Sequence, residues 1–465
     1  MNFPLASSAF VRMTVWLLCF SLVQGCAIYR PTNQPMTRIE NDRGYRLVNA
    51  HLGKFGDHLV FLAFSGGGTR AAALSYGVLK ELRDTQLDAA GQRVRLLDEV
   101  DSISAVSGGS FTAAYFGLFG EKTFTDYEKV FLRQSIQGSL ILKLFSPSYW
   151  WNSVFSGFDR TEMAVDFYDK QIFEGKTFED LQHANGPFIE INATDLGIGN
   201  RFSFIQGYFD LLCSDLGPFK VARAVTASSA VPVAFPTVVL KNYAGECDPS
   251  QSNLITYFNR LNESNPRAMD IRKRIKSYLD RDAHAYVHLV DGGITDNLGL
   301  RALTDRIETM GSGDFIRSLA HKPKDVLIIS VNAQVKPERG IDLSPDKPSI
   351  PETVDAFSDA QMALYNNETK FLLEKKVREL EARLKEHGVQ TRIYTAEVSF
   401  ESVQAKTMKS YLNSLPTSLE LSNQDVDMLI EAAATILRRD PGYRAFLENN
   451  AGRYQFPAPS TKPKS

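Results

Sequence analysis

The chain is poor in cysteine, with four in 465 residues, and its cysteines and histidines form no cluster at metal-ligand spacing, so no metal is expected. It has little net charge, -2 with histidine neutral. Binding to nucleic acid calls for a basic domain or stripe, so no nucleic-acid partner is expected. No internal repeat is present, which leaves no basis for a solenoid. An apolar run near the start, Met13 to Val23, is too short to span a bilayer comfortably. What remains is ordinary globular composition, 43% apolar and 23% charged, enough for one large domain or two smaller ones with a sizeable core.

Arg12 precedes that apolar run, which ends in Val23-Gln24-Gly25-Cys26, and the arrangement reads as an export signal. Small residues meeting a cysteine resemble the lipobox of bacterial lipoproteins. The resemblance implies a leader of residues 1–25, cleavage before Cys26 and acylation of Cys26 by several chains, which together anchor firmly where one chain does not. Ala27, in place of aspartate, follows the cysteine. The expected location is therefore the bacterial cell envelope, lipid-anchored, at the outer membrane. The alternative is a cleaved secretory signal with an incidental cysteine. Cys213 and Cys247 are then left in an oxidising compartment, either as a disulfide or as two buried small hydrophobes.

Residues 26–57 are polar and mixed, suiting a tether or a first wrap around the domain. Leu59 to Phe64 is a continuous apolar run, as in a strand buried on both faces, and Ser65-Gly66-Gly67-Gly68-Thr69 breaks it before a helix from Arg70 to Asp84. Strand, glycine loop and helix recur at Val100 to Val106, Ser107 to Ser110 and Phe111 to Phe119. Two such units in succession predict a parallel sheet covered by helices. Further strands are expected at Phe188 to Ala193, Phe202 to Gln206, Tyr286 to Val290 and Asp325 to Asn332, with a helix from Phe219 to about Ser229. The main domain is taken as residues 58–334. Prolines 337, 345, 348 and 351 then mark a loop, and a helical C-terminal region spans 335–456, with a strand possible at Arg392 to Phe400 and a helix at Asp425 to Arg438. Leu373, Val377, Leu380 and Leu384 have four-three-four spacing, better read as packing on the body than as a coiled coil. Residues 457–465 are expected to be disordered.

Three glycine-marked segments carry chemistry. Gly66-Gly67-Gly68-Thr69-Arg70 follows a buried strand and opens a helix, so uncovered N–H groups and the helix dipole suit an anion. The spacing fits neither a P-loop nor a dinucleotide fingerprint, which leaves an oxyanion hole. Ser107, between Ala105 and Gly109, ends a strand where small neighbours allow a tight strand-to-helix turn. Asp291-Gly292-Gly293 places an acid at a strand end, where it can take a proton from Ser107. A triad would need a histidine. His288 is three residues before Asp291, and odd offsets on a strand point to opposite faces, so a Ser-Asp dyad fits better.

These segments, in this order and with the glycines in register, resemble the patatin-like phospholipases. Asn192-Ala193-Thr194-Asp195-Leu196 and Ala227-Ser228-Ser229-Ala230-Val231-Pro232 also look like that family's mid-domain strand and serine-rich helix end. The resemblance implies a three-layer α/β/α fold with a largely parallel central sheet. It implies a lipid acyl hydrolase of the phospholipase A or lysophospholipase kind, acting on membrane lipids or lysolipids through an acyl-serine intermediate with no cofactor. Ser107 would be the nucleophile, Asp291 the base, and the amides of Gly66, Gly67 and Gly68 the oxyanion hole. Arg70 would orient the loop or a substrate headgroup; Gly109, Gly292 and Gly293 support the turns. Ala105 departs from the pattern, standing where the family usually has glycine. An acyltransferase on the same scaffold and a non-catalytic lipid-binding envelope lipoprotein are the alternatives. An aromatic cluster between Leu140 and Phe158, with Tyr149, Trp150 and Trp151, is read as core ahead of a lid or acyl-chain collar. The basic run Arg272 to Lys276 is read as a solvated helix face.

Overall fold

His58–Phe64 forms strand β1, whose residues alternate between two apolar layers: Val60, Leu62 and Phe64 point into one cluster, Leu59 and Ala63 into another. A strand so patterned must be covered on both faces. The computed structural model describes residues 32–47, 58–89, 92–136, 138, 159–232, 235–259, 265–308, 323–336, 340–343, 345–450 and 453–454. The leader, Cys26, the aromatic cluster of 140–158 and the tail at 457–465 lie outside the described residues.

Among the described residues the central sheet has eight strands. After β1 come β2 (Val100–Val106), β3 (Phe188–Asp195), β4 (Asn200–Ser203), β5 (Val238–Lys241), β6 (Tyr286–Val290), β7 (Asp325–Asn332) and β8 (Arg392–Ser399). In space the order is β8-β7-β1-β2-β3-β6-β5, with β4 also on β3. The run from β8 to β3 is parallel, while β6 meets β3 and β5 antiparallel. The sheet is thus largely parallel, with an antiparallel flank.

Seven of the flanking helices matter here: α1 (Gly68–Asp84), α2 (Gly108–Phe119), α3 (Arg160–Gln171), α4 (Val221–Ser228), α5 (Pro266–Ser277), α6 (Ile350–Glu386) and α7 (Asn423–Arg439). Helices α1, α2, α4 and α7 bury residues in the larger cluster, together with Leu327, Ile329 and Val331 of β7. On the opposite face Leu373 and Val377 of α6 cover Leu59, Ala63, Val326 and Ile328. Leu380 and Leu384 continue that seam onto Ile307, so the four-three-four spacing is packing against the body. The result is the three-layer α/β/α architecture. Among the described residues no helix is long and apolar enough to cross a membrane.

Four features refine the sequence reading. The chain beyond Val335 is not a helical annex: β8 pairs along its whole length with β7, and α7 packs on α1 with Arg438 paired to Glu81 at 2.7 Å. Before β1, Gln34–Pro35 pairs with Ser214–Asp215, and Tyr45 is buried with its hydroxyl accepting from the N–H of Ile189; this part of the expected tether wraps the body. The strand foreseen at Phe202 to Gln206 runs from Asn200 to Ser203 instead, because Gln206 opens a short helix. Cys213 and Cys247 form a disulfide.

Candidate active site

Register brings the site together. Phe64 pairs with Ala105, and Val106 with Asn192, so β1, β2 and β3 reach one sheet edge together. Strand β3 runs on for three more residues, and β6 descends against this extension, Val290 opposite Thr194. The chain after β6 therefore delivers Asp291 level with the end of β2.

Ser107 sits at φ 50° and ψ -123°, a conformation rarely open to a residue with a Cβ. Its Oγ donates to Asp291 Oδ2 at 2.9 Å. The other carboxylate oxygen, Oδ1, accepts from the N–H of Gly293 at 2.8 Å. Ser107 and Asp291 are only 7% and 8% exposed. Burial raises the Asp291 carboxyl to about 6, against the lowering effect of the Gly293 and Ser107 bonds.

The strained turn is pinned by Ser228 at the end of α4. Its Oγ donates to the carbonyl of Asn192 at 2.6 Å and accepts from the N–H of Ser107 at 2.8 Å. A hydroxyl has one proton, so the 2.8 Å contact between Ser228 and Ser110 is donated by Ser110. The same helix end places Asp291: the carbonyl of Ala230 accepts from the N–H of Asp291, and that of Ser228 from Gly292. A Cβ on Gly292 would stand 2.4 Å from the carbonyl oxygen of Asn192. The sequence motifs included Ser228 and Asn192 without giving them a role; hydroxyl-to-backbone bonds between segments 121 residues apart leave no local pattern.

The glycine loop lies against this turn. A Cβ on Gly66 would be 3.3 Å from Ser107 Cβ, and the N–H of Gly109 donates to the carbonyl of Ser65. Of the three glycines, Gly66 has its N–H engaged by the carbonyl of Asn297 at 3.0 Å. Among the described residues nothing engages the N–H groups of Gly67 and Gly68. The expectation of three loop donors therefore narrows to two. Gly68 (φ 60°) is clamped from outside, since a Cβ there would be 2.3 Å from the carbonyl oxygen of Ser418, which itself accepts from the N–H of Thr69.

Arg70 is 2% exposed, and its three guanidinium nitrogens donate to the carbonyls of Ala333 and Leu415 and to Thr417 Oγ1. It ties the loop to distant chain segments, and the headgroup role considered for it has no support in this geometry. Burial lowers it to about 10. His288 is exposed and its Nδ1 faces Thr237 Oγ1 at 3.3 Å, so it takes no part in the Ser107–Asp291 contact. Ala105 is fully buried in the larger cluster, where its methyl is accommodated. Cys26 lies outside the described residues.

A protein-family model described as patatin-like phospholipase matches residues 62–304. Among solved structures, human GIVD cytosolic phospholipase A2 is similar at 13% identity and a TM-score of 0.34, the match covering 61% of this chain and 47% of that one. The chain thus spans about half the length of that protein. No curated protein matches.

Proposed function

The chain belongs to the patatin-like phospholipase family, matched over a little more than half its length, and from that premise we propose that it hydrolyses acyl esters of membrane lipids or lysolipids through a Ser107–Asp291 dyad. Lipid hydrolase activity is the family-level statement. The observation that carries the finer reading is the 2.9 Å contact between Ser107 Oγ and Asp291 Oδ2, made from a strained strand-to-helix turn.

As Ser107 Oγ attacks the ester carbonyl, Asp291 Oδ2 accepts its proton. The carbonyl oxygen becomes an oxyanion facing the N–H groups of Gly67 and Gly68, backed by the N-terminus of α1. Collapse breaks the ester bond, and the proton on Asp291 passes to the departing alcohol, leaving an acyl-serine. Water then attacks the acyl group, giving its proton to Asp291, and the fatty acid leaves as Ser107 recovers a proton. A carboxyl near 6 is matched to this traffic, because a base works best with a pKa close to the working pH.

Lipid, in preference to a soluble ester, is supported by the rim. Leu196, Val231 and Ile294 flank the residues around Asp291 and are 56%, 46% and 51% exposed. The lipobox resemblance at Cys26 completes the reading as an acylated lipoprotein working at the outer membrane.

Labelling the folded protein with a fluorophosphonate tests the nucleophile. Ser107 is expected to carry the adduct and Ser107→Ala to abolish both labelling and hydrolysis; full activity in that variant would end the proposal. Product identification by mass spectrometry on a lipid panel assigns the substrate.

A further inference from the structure

Four arginines, Arg201 of β4, Arg267 and Arg274 of α5, and Arg301, wall a cavity of about 290 Å³ together with Asp270 and Asp305. Thr295, four residues after Asp291, lines it too, with its hydroxyl bonded to Thr194 of β3 at 2.8 Å. The cavity therefore opens at the catalytic end of the sheet, beside the dyad and outside it.

Three of these arginines are already paired, two of them with the acids that line the same cavity. Arg201 meets Glu190 at 3.1 Å, Arg267 meets Asp305 at 2.9 Å, and Arg274 meets Asp270 at 2.9 Å. Arg301 differs. It is only 9% exposed, and among the described residues no carboxylate oxygen lies within 4 Å of its guanidinium. Its Nε donates to Thr369 Oγ1 at 3.0 Å, and its plane lies over the Tyr365 ring at 3.8 Å. Asp296 attracts Arg301 electrostatically but makes no direct ion pair with its guanidinium, since its Oδ2 accepts the backbone N–H of Arg301 at 2.8 Å. Among the described residues its terminal nitrogens have no hydrogen-bond partner, and Arg301 lines the cavity. A buried guanidinium with no directly paired carboxylate keeps donors that an incoming anion can take.

We propose that this cavity is a binding site for a phosphate group, held by Arg301 and bordered by the donor forks of Arg201, Arg267 and Arg274. A carboxylate offers two coplanar oxygens and satisfies one fork. A phosphate offers three or more acceptors in different directions, and so can serve forks on separate walls. The site stands apart from the ester chemistry and does not depend on it. The phosphate can arrive on a lipid headgroup or free in solution.

The test uses inorganic phosphate on the full chain, with chloride at matched ionic strength as reference, reading the thermal midpoint and the affinity by calorimetry. Phosphate is expected to stabilise the wild-type chain and Ser107→Ala equally. Arg301→Gln should weaken phosphate binding about tenfold or more, and Arg301→Lys, which keeps charge but loses the fork, by about threefold. Arg274→Gln alters a half-exposed side chain that tolerates change, so its threefold or larger loss, also of order one charged hydrogen bond, tests the cavity even if Arg301→Gln fails to fold. No stabilisation of the wild type, or phosphate binding unchanged in Arg274→Gln and Arg301→Lys, overturns the site. Phosphatidylcholine vesicles with and without phosphatidic acid then identify the source. Recruitment by phosphatidic acid that free phosphate competes away and Arg274→Gln weakens assigns a headgroup; binding of free phosphate alone assigns a soluble ligand, and either result upholds the site.

Discussion

The two strand-glycine-helix units, β1 to α1 and β2 to α2, start from the same sequence pattern and do opposite work. In the first, glycines hold the positive-φ positions, Gly67 at 134° and Gly68 at 60°, and bare N–H groups remain. In the second the positive-φ position is Ser107, so a hydroxyl is thrust forward at a strain cost of about 1–3 kcal/mol. Each unit is held by a clamp from elsewhere in the chain. The donor loop is held by backbone carbonyls at Leu415 and Ser418, the nucleophile turn by one hydroxyl at Ser228. In the proposed mechanism chemistry is thus divided by residue type at a single backbone position, while the supporting contacts decide whether that position holds.

The largest expected break in this division is at the base. Asp291→Asn leaves Ser107 without a proton acceptor and should reduce hydrolysis at least about a thousandfold. Its stability should go the other way. The folded carboxyl is raised by burial, so the native state binds protons more readily than the unfolded one, and stability from this group falls as pH rises from about 4 towards 6. Urea unfolding at neutral pH should find the Asp291→Asn variant as stable as the wild type or more so, by up to roughly 3 kcal/mol. In the wild type, kcat/KM should fall about tenfold per pH unit below about 6, as the base becomes protonated; a flat profile from about 5 to 8 would remove Asp291 from that role.

Gly68→Ala attacks the donor loop. Its Cβ collides with the Ser418 carbonyl, and a cost of about 2 kcal/mol or more is expected, with hydrolysis down on the order of a hundredfold. Fluorophosphonate labelling of Ser107 should fall less than turnover if the two units are separable in function. Ser228→Ala removes the acceptor of the Ser107 N–H; about a tenfold loss in kcat with KM little changed is expected, and Ser228→Thr should restore part of it. The smallest effect belongs to Ala105→Gly, which restores the family's usual residue. It should cost about 1 kcal/mol in thermal unfolding and raise activity no more than about twofold, since the buried methyl already fits.

That Ser107, Asp291 and the glycine loop belong to one site was legible because each sits in a short motif whose residues lie within a few positions of one another. The buried parallel strands were legible from their apolar runs. The supports were not. Ser228 to Ser107, Asn297 to Gly66 and Arg70 to Leu415 join residues more than a hundred positions apart, mostly through backbone groups that every residue possesses. Nor does the run Tyr286 to Val290 reveal its direction, although its antiparallel descent on β3 is what carries Asp291 to Ser107. The arginine cavity was equally hidden, since its walls come from four separated stretches.

The clamp on the glycine loop bears on how such a gene can be cut and rejoined. The stretch that matches the family ends at residue 304, yet Thr69 and Arg70 hold fast to Ala333, Leu415, Thr417 and Ser418. A fragment ended at the limit of likeness would contain both members of the proposed dyad, Ser107 and Asp291, and none of this outer brace. Any sequence exchanged for the last third would have to supply a matching brace for the glycine loop.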